Sequence, residues 1–286
     1  MERPVGVVGA GVMGSGVAQA LAQAGHGVVL VDVDQPALDR ASDSMRNGVR
    51  MAKMLRSPQA ASSPDEVLSR IESTTDPGRL SQAFFVIENV PERIALKEDL
   101  YRTLDEVCPP DAVLAANTSC VPIRRLAACT SRADRVLGMH FMNPAPMKDT
   151  VEVIRGDATS DDTMRAALDL LTSMGKEAVV VRDSPGFVSN RVLMVTINEA
   201  SRVLEEGVAP AEDVDRVFTA CFGHAMGPLA TADLIGLDTI ADSLDVLREC
   251  FGDDKYVPTR LLSEKVSEGK LGRKSGEGFF VYRGAT

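Results

Sequence analysis

Long hydrophobic runs are missing from this 286-residue sequence. No apolar stretch approaches the roughly 20 uncharged residues that a membrane-spanning helix needs, and the first predicted strand begins at Val5, which leaves no room for a signal peptide. The sequence therefore predicts a cytoplasmic protein without a membrane partner. Its content of 44% apolar and 25% charged residues is typical of a folded globular protein, and its length is sufficient for two domains.

Cysteine is also scarce. The five cysteines form an odd number without C-x-x-C pairs or a paired histidine spacing, so we expect reduced thiols rather than a disulfide framework or a zinc or other metal site. The formal net charge of −10 argues against a nucleic-acid partner. An anionic ligand therefore needs a local basic patch, because the overall field of the protein repels it.

A glycine-rich turn follows the first apolar run of the chain. Val5-Gly6-Val7-Val8 leads directly into Gly9-Ala10-Gly11-Val12-Met13-Gly14, and a helix is predicted over 12–24. Glycines at the end of a strand let backbone N–H groups approach a pyrophosphate, and the positive end of the next helix attracts its charge. Asp32 closes a second apolar run, where a carboxylate accepts hydrogen bonds from the adenosine ribose. The predicted dinucleotide-binding residues are Gly9, Gly11, Met13, Gly14 and Asp32.

The acidic residue also selects the cofactor. The carboxylate of Asp32 would repel a 2′-phosphate, and the next residues, Val33, Asp34 and Gln35, supply no arginine or lysine to bind one. The sequence therefore predicts NAD rather than NADP. A tight structural turn alone would explain the glycines but not the acid one βαβ unit later.

Strand-like and helix-like segments alternate as far as residue 183. Apolar runs predict strands at 5–8, 28–31, 83–87, 112–116, 135–139, 150–154 and 178–181, with helices near 12–24, 35–55, 93–107 and 161–174. The alternation predicts an α/β domain over 1–183 with a doubly wound, mostly parallel, Rossmann-type sheet. After Asp183-Ser184-Pro185-Gly186 only helices are predicted, at 187–205, 211–221, 228–233, 236–251 and 258–268. We therefore expect an all-α C-terminal domain over 184–286.

Three histidines compete for the role of a base in alcohol oxidation, for which imidazole is suited near neutral pH. His26 lies between two glycines, where a surface role is expected, and His224 follows Gly223 in the helical part, where capping or packing is expected. His140 follows the predicted strand 136–139, so it emerges at the carboxyl edge of the sheet, where open α/β sheets bind ligands.

A carboxylate in the next strand is a candidate partner for this histidine. Glu152 lies between Val151 and Val153, and a carboxylate in an apolar strand is costly to bury unless it is paired. Pairing with His140 would fix the imidazole tautomer and stabilise the imidazolium. The alternative is an edge-strand glutamate that faces water.

Basic residues recur on the predicted helix 35–55 and just after it. Arg46, Arg50, Lys53 and Arg56 are four, three and three residues apart, which places them on one face. This basic stripe is either a solvated helix face or a clamp for the phosphates of a carrier-bound substrate.

Longer motifs cover nearly the whole chain in one order. They are Val86-Ile87-Glu88-Asn89 with Glu92 and Lys97, Asn117-Thr118-Ser119, Gly138-Met139-His140-Phe141-Met142-Asn143-Pro144, Val151-Glu152-Val153-Ile154, Ser184-Pro185-Gly186-Phe187-Val188-Ser189-Asn190-Arg191, Gly227-Pro228-Leu229 and Gly272-Arg273-Lys274-Ser275-Gly276. Together they resemble the L-3-hydroxyacyl-CoA dehydrogenases, and the bacterial 3-hydroxybutyryl-CoA dehydrogenases in particular.

The resemblance implies a role for each matching residue. His140 would be the acid/base, Glu152 would orient it, and Ser119 and Asn190 would bond the reacting oxygen of the substrate. The basic stripe would hold the phosphate end of CoA through Arg46, Arg50 and Lys53. The further cofactor-binding residues implied are Glu92, Lys97, Asn117 and Asn143.

The resemblance also implies a partner and leaves a choice of substrate. Pairing through the all-α domain would give a homodimer. The polar Asp149-Thr150 and Ser189 stand where the fatty-acyl enzymes carry more apolar residues. These departures argue against a pocket for a plain hydrocarbon tail. The alternative is a resemblance to relatives in polyketide pathways that oxidise a glyceryl group on an acyl carrier protein, which is favoured by the segments Met139-His140-Phe141-Met142-Asn143-Pro144 and Thr150-Val151-Glu152-Val153-Ile154-Arg155-Gly156. The basic stripe would then contact an acidic carrier protein instead of CoA.

Our first hypothesis is an NAD-dependent dehydrogenase that interconverts 3-hydroxyacyl and 3-oxoacyl thioesters, bound to CoA or to an acyl carrier protein. A second hypothesis is an NAD-binding protein without catalysis, against which the four-residue site of His140, Glu152, Ser119 and Asn190 argues. A third is a relative of the β-hydroxyacid dehydrogenases that use a catalytic lysine. The His/Glu pair argues against this third hypothesis.

Overall fold

The computed structural model describes residues 3–54 and 62–282. The chain divides into two compact units, Met1–Ser184 and Pro185–Thr286. Within the described ranges, no helix is both long enough and apolar enough to cross a membrane.

The first unit is built on one eight-stranded sheet. Its strands are β1 (Val5–Val8), β2 (Val28–Val31), β3 (Ile71–Thr74), β4 (Phe85–Glu88), β5 (Val113–Ala116), β6 (Val136–Phe141), β7 (Thr150–Arg155) and β8 (Glu177–Arg182). They are arranged in the order β3-β2-β1-β4-β5-β6-β7-β8. The pairs from β3 to β6 are parallel, β7 runs antiparallel to β6, and β8 is parallel to β7. The predicted doubly wound, mostly parallel sheet is confirmed.

Strand β3 is the one strand that the sequence did not predict. Its residues Ile71-Glu72-Ser73-Thr74 include one apolar side chain, because the strand lies at the edge of the sheet and is only partly buried. The central strands β1, β2, β4 and β5 are buried along their whole length, as expected where helices cover both faces of a parallel sheet.

The α-helices among the described residues of the first unit are α1 (Val12–Gln23), α2 (Gln35–Met54), α3 (Pro64–Leu68), α4 (Ile94–Val107), α5 (Ile123–Ala127) and α6 (Asp161–Ser173). Helix α4 buries Lys97, Tyr101 and Leu104, which are four and three residues apart and so share one face. Residues 57–65, with two prolines, are predicted from the sequence to form a loop or helix break. Helix α3 begins within this segment, because the side chain of Ser63 accepts a hydrogen bond from the backbone N–H of Glu66 and caps the helix. Arg56 and residues 57–61 lie outside the described residues.

The strand order identifies the edge of the sheet at which a ligand is expected to bind. The chain leaves β1 towards β2 on one side, and β4 pairs with β1 on the other, so the strand order reverses at β1. In open α/β sheets, ligands bind at the carboxyl ends of the strands beside such a reversal. The carboxyl ends of β1, β2, β4, β5 and β6 all lie at this edge, because these strands are parallel.

The second unit is helical. It contains α7 (Ser189–Glu205), α8 (Ala211–Arg216), α9 (Pro228–Ile235), α10 (Leu237–Phe251) and α11 (Arg260–Ser267), with a π-helical turn at Val217–Cys221. Helix α7 starts two residues later than predicted, since Gly186 (φ +72°) and Phe187 (φ +52°) adopt left-handed conformations. The core of this unit includes Ile197, Leu237, Ile240 and Leu244.

A buried carboxylate fixes the last segment of the second unit. Asp233 accepts hydrogen bonds from the backbone N–H groups of Phe279 and Phe280 and from the hydroxyl of Tyr282. Burial raises the pKa of Asp233, although these three hydrogen bonds oppose that shift. Residues 279–282 are therefore held against helix α9, which carries Asp233.

Candidate active site

The glycine-rich turn joins β1 to helix α1 through close backbone contacts. A Cβ added to Gly14 would lie 1.8 Å from the carbonyl oxygen of Gly9, so no side chain fits there. Gly9 has φ +95°, which favours glycine. A Cβ added to Gly11 would meet no protein atom within 4 Å, so this residue faces open space at the start of the helix.

The first turn of α1 is suited to an anion. Gly11 is its N-cap, with no side-chain capping hydrogen bond and no acidic residue in the first turn. The N–H groups and positive dipole of such a helix end bind phosphate. Met13 lies in this turn, half-buried against the core of the unit. The open face at Gly11 and the uncapped helix fit the pyrophosphate of a dinucleotide.

Asp32 lies at the end of β2, beside the turn. Its carboxylate accepts hydrogen bonds from the backbone N–H of Ala10 at 2.7 Å and of Asp34 at 3.1 Å. These bonds hold the carboxylate next to the glycine-rich turn, where it is half-buried. Each carboxylate oxygen has a second lone pair for a ribose hydroxyl, so Asp32 fits the role predicted for it.

His140 and Glu152 face each other across β6 and β7. They are directly opposite in the antiparallel register, and His140 Nδ1 lies 3.1 Å from Glu152 Oε2. The two residues are 6% and 7% exposed. Strand β7 lies between β6 and β8, so the alternative of a water-facing glutamate on an edge strand is wrong. Strand β6 also extends through Phe141, two residues beyond its predicted end.

The pairing sets the proton positions on the imidazole. An ionised carboxylate only accepts hydrogen bonds, so Nδ1 of His140 carries the proton that it donates to Glu152. Nε2 is then the basic nitrogen, and it lies 3.1 Å from the hydroxyl oxygen of Ser119. The arrangement of carboxylate, imidazole and hydroxyl can take up a proton from a hydroxyl group bound near Ser119.

Ser119 lies in the turn after β5, and Glu92 holds this turn. One oxygen of Glu92, Oε1, accepts the backbone N–H of Ser119 at 2.9 Å and of Cys120 at 3.1 Å, and it also accepts the hydroxyl of Thr118. Lys97 Nζ lies 3.3 Å from the other oxygen of Glu92. Glu92 and Lys97 were predicted as cofactor-binding residues, and both lie at the carboxyl edge of the sheet.

Asn117 links three strands at the same edge. Its side-chain amide donates to Asn89 Oδ1 at 2.7 Å, and its oxygen accepts the backbone N–H of Phe141 at 3.1 Å. The bonds run from the end of β4 across β5 to the end of β6. Asn143 is exposed just beyond β6 and precedes a cis-proline, Pro144. The cofactor roles of Asn117 and Asn143 stay predictions.

Three residues of the basic stripe, Arg46, Arg50 and Lys53, belong to helix α2. Arg46 pairs with Asp65 through Nη1 and Oδ1, 2.5 Å apart, and Arg50 is exposed. The backbone of Lys53 belongs to the same helix. An exposed ion pair contributes little to stability, so Arg46 can exchange Asp65 for a phosphate at small cost.

Asn190, the fourth predicted catalytic residue, belongs to the second unit. It lies in the first turn of α7 and is half-buried. The structure brings His140, Glu152 and Ser119 together within the first unit. The role of Asn190 stays a prediction.

The other two histidines have different surroundings. His26 Nε2 lies 2.7 Å from the hydroxyl of Ser173 near the amino ends of the strands, opposite to the candidate site. His224 packs edge-on against Phe218, with ring centroids 5.4 Å apart.

Sequence reasoning missed Glu88. This residue ends β4, is fully buried and forms an ion pair with Lys97 at 2.7 Å. The signal was present, because a carboxylate that ends the apolar run Phe85-Val86-Ile87 needs a buried partner just as Glu152 does. The lysine that pairs with it lies nine residues further on, in helix α4.

Two family models match the chain in succession. The 3-hydroxyacyl-CoA dehydrogenase NAD binding domain matches residues 4–184, and the C-terminal domain of the same family matches residues 186–282.

Relatives from several bacteria are similar over nearly their full length. A probable 3-hydroxybutyryl-CoA dehydrogenase of Deinococcus radiodurans is 44% identical, with 97% of this chain and 99% of the relative covered. A protein of the same name from Bacillus subtilis is 45% identical, with 98% and 97% covered. The crystal structure of (S)-3-hydroxybutyryl-CoA dehydrogenase from Ralstonia eutropha has a TM-score of 0.92 and 42% identity, and 99% of each chain is covered.

Proposed function

The chain belongs to the 3-hydroxyacyl-CoA dehydrogenase family, an NAD-dependent class of oxidoreductases, and on that premise we propose that its substrate is a short 3-hydroxyacyl-CoA such as 3-hydroxybutyryl-CoA. The observation that carries the proposal is the buried His140–Glu152 pair next to Ser119, at the sheet edge where the glycine-rich turn also lies. The names of the relatives support the four-carbon acyl group.

The proposed roles follow from the contacts. Nε2 of His140 takes the proton of the 3-hydroxyl group, and Glu152 stabilises the imidazolium that forms. The hydroxyl of Ser119 donates a hydrogen bond to the substrate oxygen as it becomes a carbonyl, and Asn190 is proposed to do the same. In the reverse direction, His140 returns the proton.

The glycine-rich turn, the first turn of α1 and Asp32 together form the proposed NAD site in the first unit. The backbone at Gly9, Gly11 and Gly14 and the first turn of α1 hold the pyrophosphate, with Met13 beside it, and Asp32 binds the adenosine ribose. Bound NAD supplies the hydride acceptor for carbon 3 of the substrate. Glu92, Lys97, Asn117 and Asn143 are proposed to face the nicotinamide side.

CoA is the proposed carrier of the acyl group. The relatives described above are named for CoA thioesters, so they do not favour the alternative of an acyl carrier protein. Arg46, Arg50 and Lys53 on α2 are proposed to bind its phosphates. Arginine and lysine on one helix face present several N–H donors to phosphate oxygens.

A homodimer that pairs through the second unit is the proposed assembly. This unit exposes apolar side chains such as Val208 and Phe222, which are 70% and 65% exposed. Val195, Val203, Val214 and Phe218 line a surface cavity of about 560 Å³ in the same unit. Exposed apolar surface of this kind is typical of subunit interfaces. Sedimentation analysis tests the proposal, and a monomer at micromolar concentration would contradict it.

We also propose a cytoplasmic location. The five cysteines, all within residues 62–282, form no disulfide bond, which is typical of a reducing compartment. Fractionation of cells that produce the protein tests this location.

A direct assay tests the proposed function. NADH oxidation is followed by its absorbance with acetoacetyl-CoA and, in parallel, with a 3-oxoacyl group on an acyl carrier protein. We expect turnover with acetoacetyl-CoA, and slower turnover with the carrier protein. Absence of NADH oxidation with acetoacetyl-CoA at micromolar enzyme would contradict the proposal, and faster turnover with the carrier protein would select the alternative.

A further inference from the structure

One carboxylate oxygen of Glu92 accepts three hydrogen bonds from the turn that carries Ser119. Glu92 Oε1 accepts the N–H groups of Ser119 and Cys120 and the hydroxyl of Thr118. The same hydroxyl oxygen of Thr118 accepts the backbone N–H of Val121 at 3.0 Å. The whole turn 118–121 is therefore built around Glu92, and a shift of this carboxylate moves the hydroxyl that faces His140.

Glu92 is itself held by a buried ammonium group. Lys97 Nζ lies 3.3 Å from Glu92 Oε2 and donates hydrogen bonds to both oxygens of Glu88, at 2.7 and 3.0 Å. It also donates to the backbone carbonyl of Val90 at 3.3 Å. The side chains of Glu88 and Lys97 are 0% exposed, whereas that of Glu92 is 34% exposed.

Burial makes the geometry of this cluster rigid. A buried ammonium needs protein partners for its donors, because water does not reach it. Glu88 ends a central strand that is paired on both sides, so it is the fixed point of the cluster. Lys97 is therefore fixed by Glu88 and determines where Glu92 lies.

The pKa directions agree with this division of roles. Burial raises the pKa of Glu88, and the charge of Lys97 opposes that shift. Burial also acts to raise the pKa of Glu92, but the charge of Lys97 and the hydrogen bonds from the 118–120 turn outweigh it, so the pKa of Glu92 is lowered. Glu92 therefore remains a charged acceptor for the turn at neutral pH.

We propose that Glu88 is a positioning residue for the reaction, acting on Ser119 through Lys97 and Glu92. Its carboxylate accepts hydrogen bonds from Lys97 and from the backbone N–H of Val90, and its effect is to keep Ser119 Oγ at 3.1 Å from His140 Nε2. The inference rests on the proposed function, in which Ser119 bonds the reacting oxygen. Misplacement of a reacting group by about 1 Å costs on the order of 10²-fold in rate, and a partial shift costs less.

The test is a double-mutant cycle between Glu88 and Ser119. Glu88→Gln keeps the shape of the side chain and removes its charge. We expect it to lower kcat with acetoacetyl-CoA about tenfold, with KM for NADH changed less than about twofold. In the Ser119→Ala background the same change is expected to lower kcat less than about twofold, because the hydroxyl that Glu88 positions is gone. An equal loss in both backgrounds would overturn the proposal.

A matched control comes from helix α4, which carries Lys97. Asp105 on α4 pairs with Arg132 at 2.7 Å, and its other oxygen accepts the backbone N–H of Ser131 at 2.7 Å. Asp105→Asn therefore also removes a carboxylate from a largely buried ion pair, away from the 118–121 turn. We expect its kcat to stay within about twofold of the unmodified protein. A tenfold loss of kcat in this control would show that removing any buried carboxylate lowers activity, and it would overturn the specific role of Glu88.

A second variant covers the case in which Glu88→Gln does not fold. Thr118→Val removes the hydroxyl between Glu92 and Val121 and keeps the side-chain volume. We expect a loss in kcat that disappears in the Ser119→Ala background, and additive losses would again overturn the proposal.

The possible failures are distinguishable. An inactive unmodified protein contradicts the proposed function, and a fully active Ser119→Ala variant contradicts the role of Ser119. Additive losses with an active protein overturn the role of Glu88 alone.

Discussion

Two buried carboxylates in the same sheet have opposite kinds of partner. Glu152 on β7 faces the imidazole of His140, which can accept a proton at Nε2, whereas Glu88 on β4 faces the amino group of Lys97, which donates to both of its oxygens. The clusters built on them meet at Ser119, with His140 on the side-chain hydroxyl and Glu92 on the backbone N–H. The comparison teaches that the first pair is placed to transfer a proton, while the second is placed to hold the geometry of the turn that carries Ser119.

Removal of the imidazole should break the comparison most strongly. His140→Ala deletes the proposed proton acceptor, and we expect kcat to fall by about 10³-fold or more, since general acid–base catalysis contributes about 10²–10⁴-fold. Initial rates of NADH oxidation with acetoacetyl-CoA measure the loss. His26→Ala, which removes the histidine bonded to Ser173, is the matched control and should keep full activity. An active His140→Ala variant would contradict the assignment.

Neutralising the partner of the imidazole should have a smaller effect. Glu152→Gln keeps the side-chain shape but no longer stabilises the imidazolium, and its amide can impose the wrong tautomer on His140. We expect kcat to fall on the order of 10²-fold, with NADH binding, followed by fluorescence titration, unchanged. The control is Glu72→Gln, which removes a carboxylate from the edge strand β3 and breaks its ion pair with Arg79. Equal losses in the two variants would show that charge removal from the sheet, rather than the contact with His140, is responsible.

The ion pair between Lys97 and Glu92 should affect the pH dependence of stability. The pKa of Glu92 is lowered in the folded protein, so Glu92 stabilises the fold above the ordinary glutamate pKa of about 4.3, and this contribution is lost as the pH falls through the lowered value. When the pH is lowered from 7 to 3, the free energy of unfolding of the Glu92→Gln variant should therefore decrease less than that of the unmodified protein. Thermal unfolding at each pH measures the difference.

The exposed glutamate at position 106 provides the control for that experiment. Glu106 lies on helix α4, which begins two residues after Glu92, and Glu106→Gln is the control for the loss of one exposed carboxylate. If Glu92→Gln showed the same acid dependence as Glu106→Gln, the lowered pKa of Glu92 would be contradicted.

The smallest expected effect concerns a buried phenol beside the Glu88 cluster. Tyr101 is 0% exposed, and its hydroxyl has no hydrogen-bond partner among residues 3–54 and 62–282. Burial and the nearby charge of Glu88 raise its pKa well above the usual value. Because an unpartnered buried hydroxyl costs about 1–3 kcal/mol, Tyr101→Phe should leave the free energy of unfolding unchanged or raise it by about 1 kcal/mol. Urea unfolding measures this change, and a destabilisation beyond about 1 kcal/mol would reveal a partner for the hydroxyl.

The sequence predicted those parts of the fold and site that depend on local pattern. Runs of buried valine and isoleucine mark the central strands, and the glycines mark the turn whose backbone contacts exclude a side chain. The pairing of Glu152 with His140 followed from the cost of burying a carboxylate in an apolar strand. Strand β3 was missed because a partly exposed edge strand needs few apolar residues.

Other features depend on contacts between distant segments. Glu88 and Lys97 belong to different elements, and Glu92 reaches the backbone of a turn 27 residues further along the chain. The pattern of apolar and polar residues does not indicate which backbone N–H groups will donate hydrogen bonds to a carboxylate in the folded protein. The side chain of Lys53 and the whole of Arg56 are not among the parts of the chain that the structure describes. The basic stripe therefore stays a prediction at those two positions.

The antiparallel register of β6 and β7 has a consequence for protein engineering. His140 and Glu152 are neighbours across one ladder, so their separation is set by the spacing of hydrogen-bonded strands and not by the conformation of a loop. Segments that contact the acyl group can therefore be exchanged or lengthened without retuning the proton-transfer pair. A library aimed at new acyl groups should leave these two strands untouched and vary the connections around them.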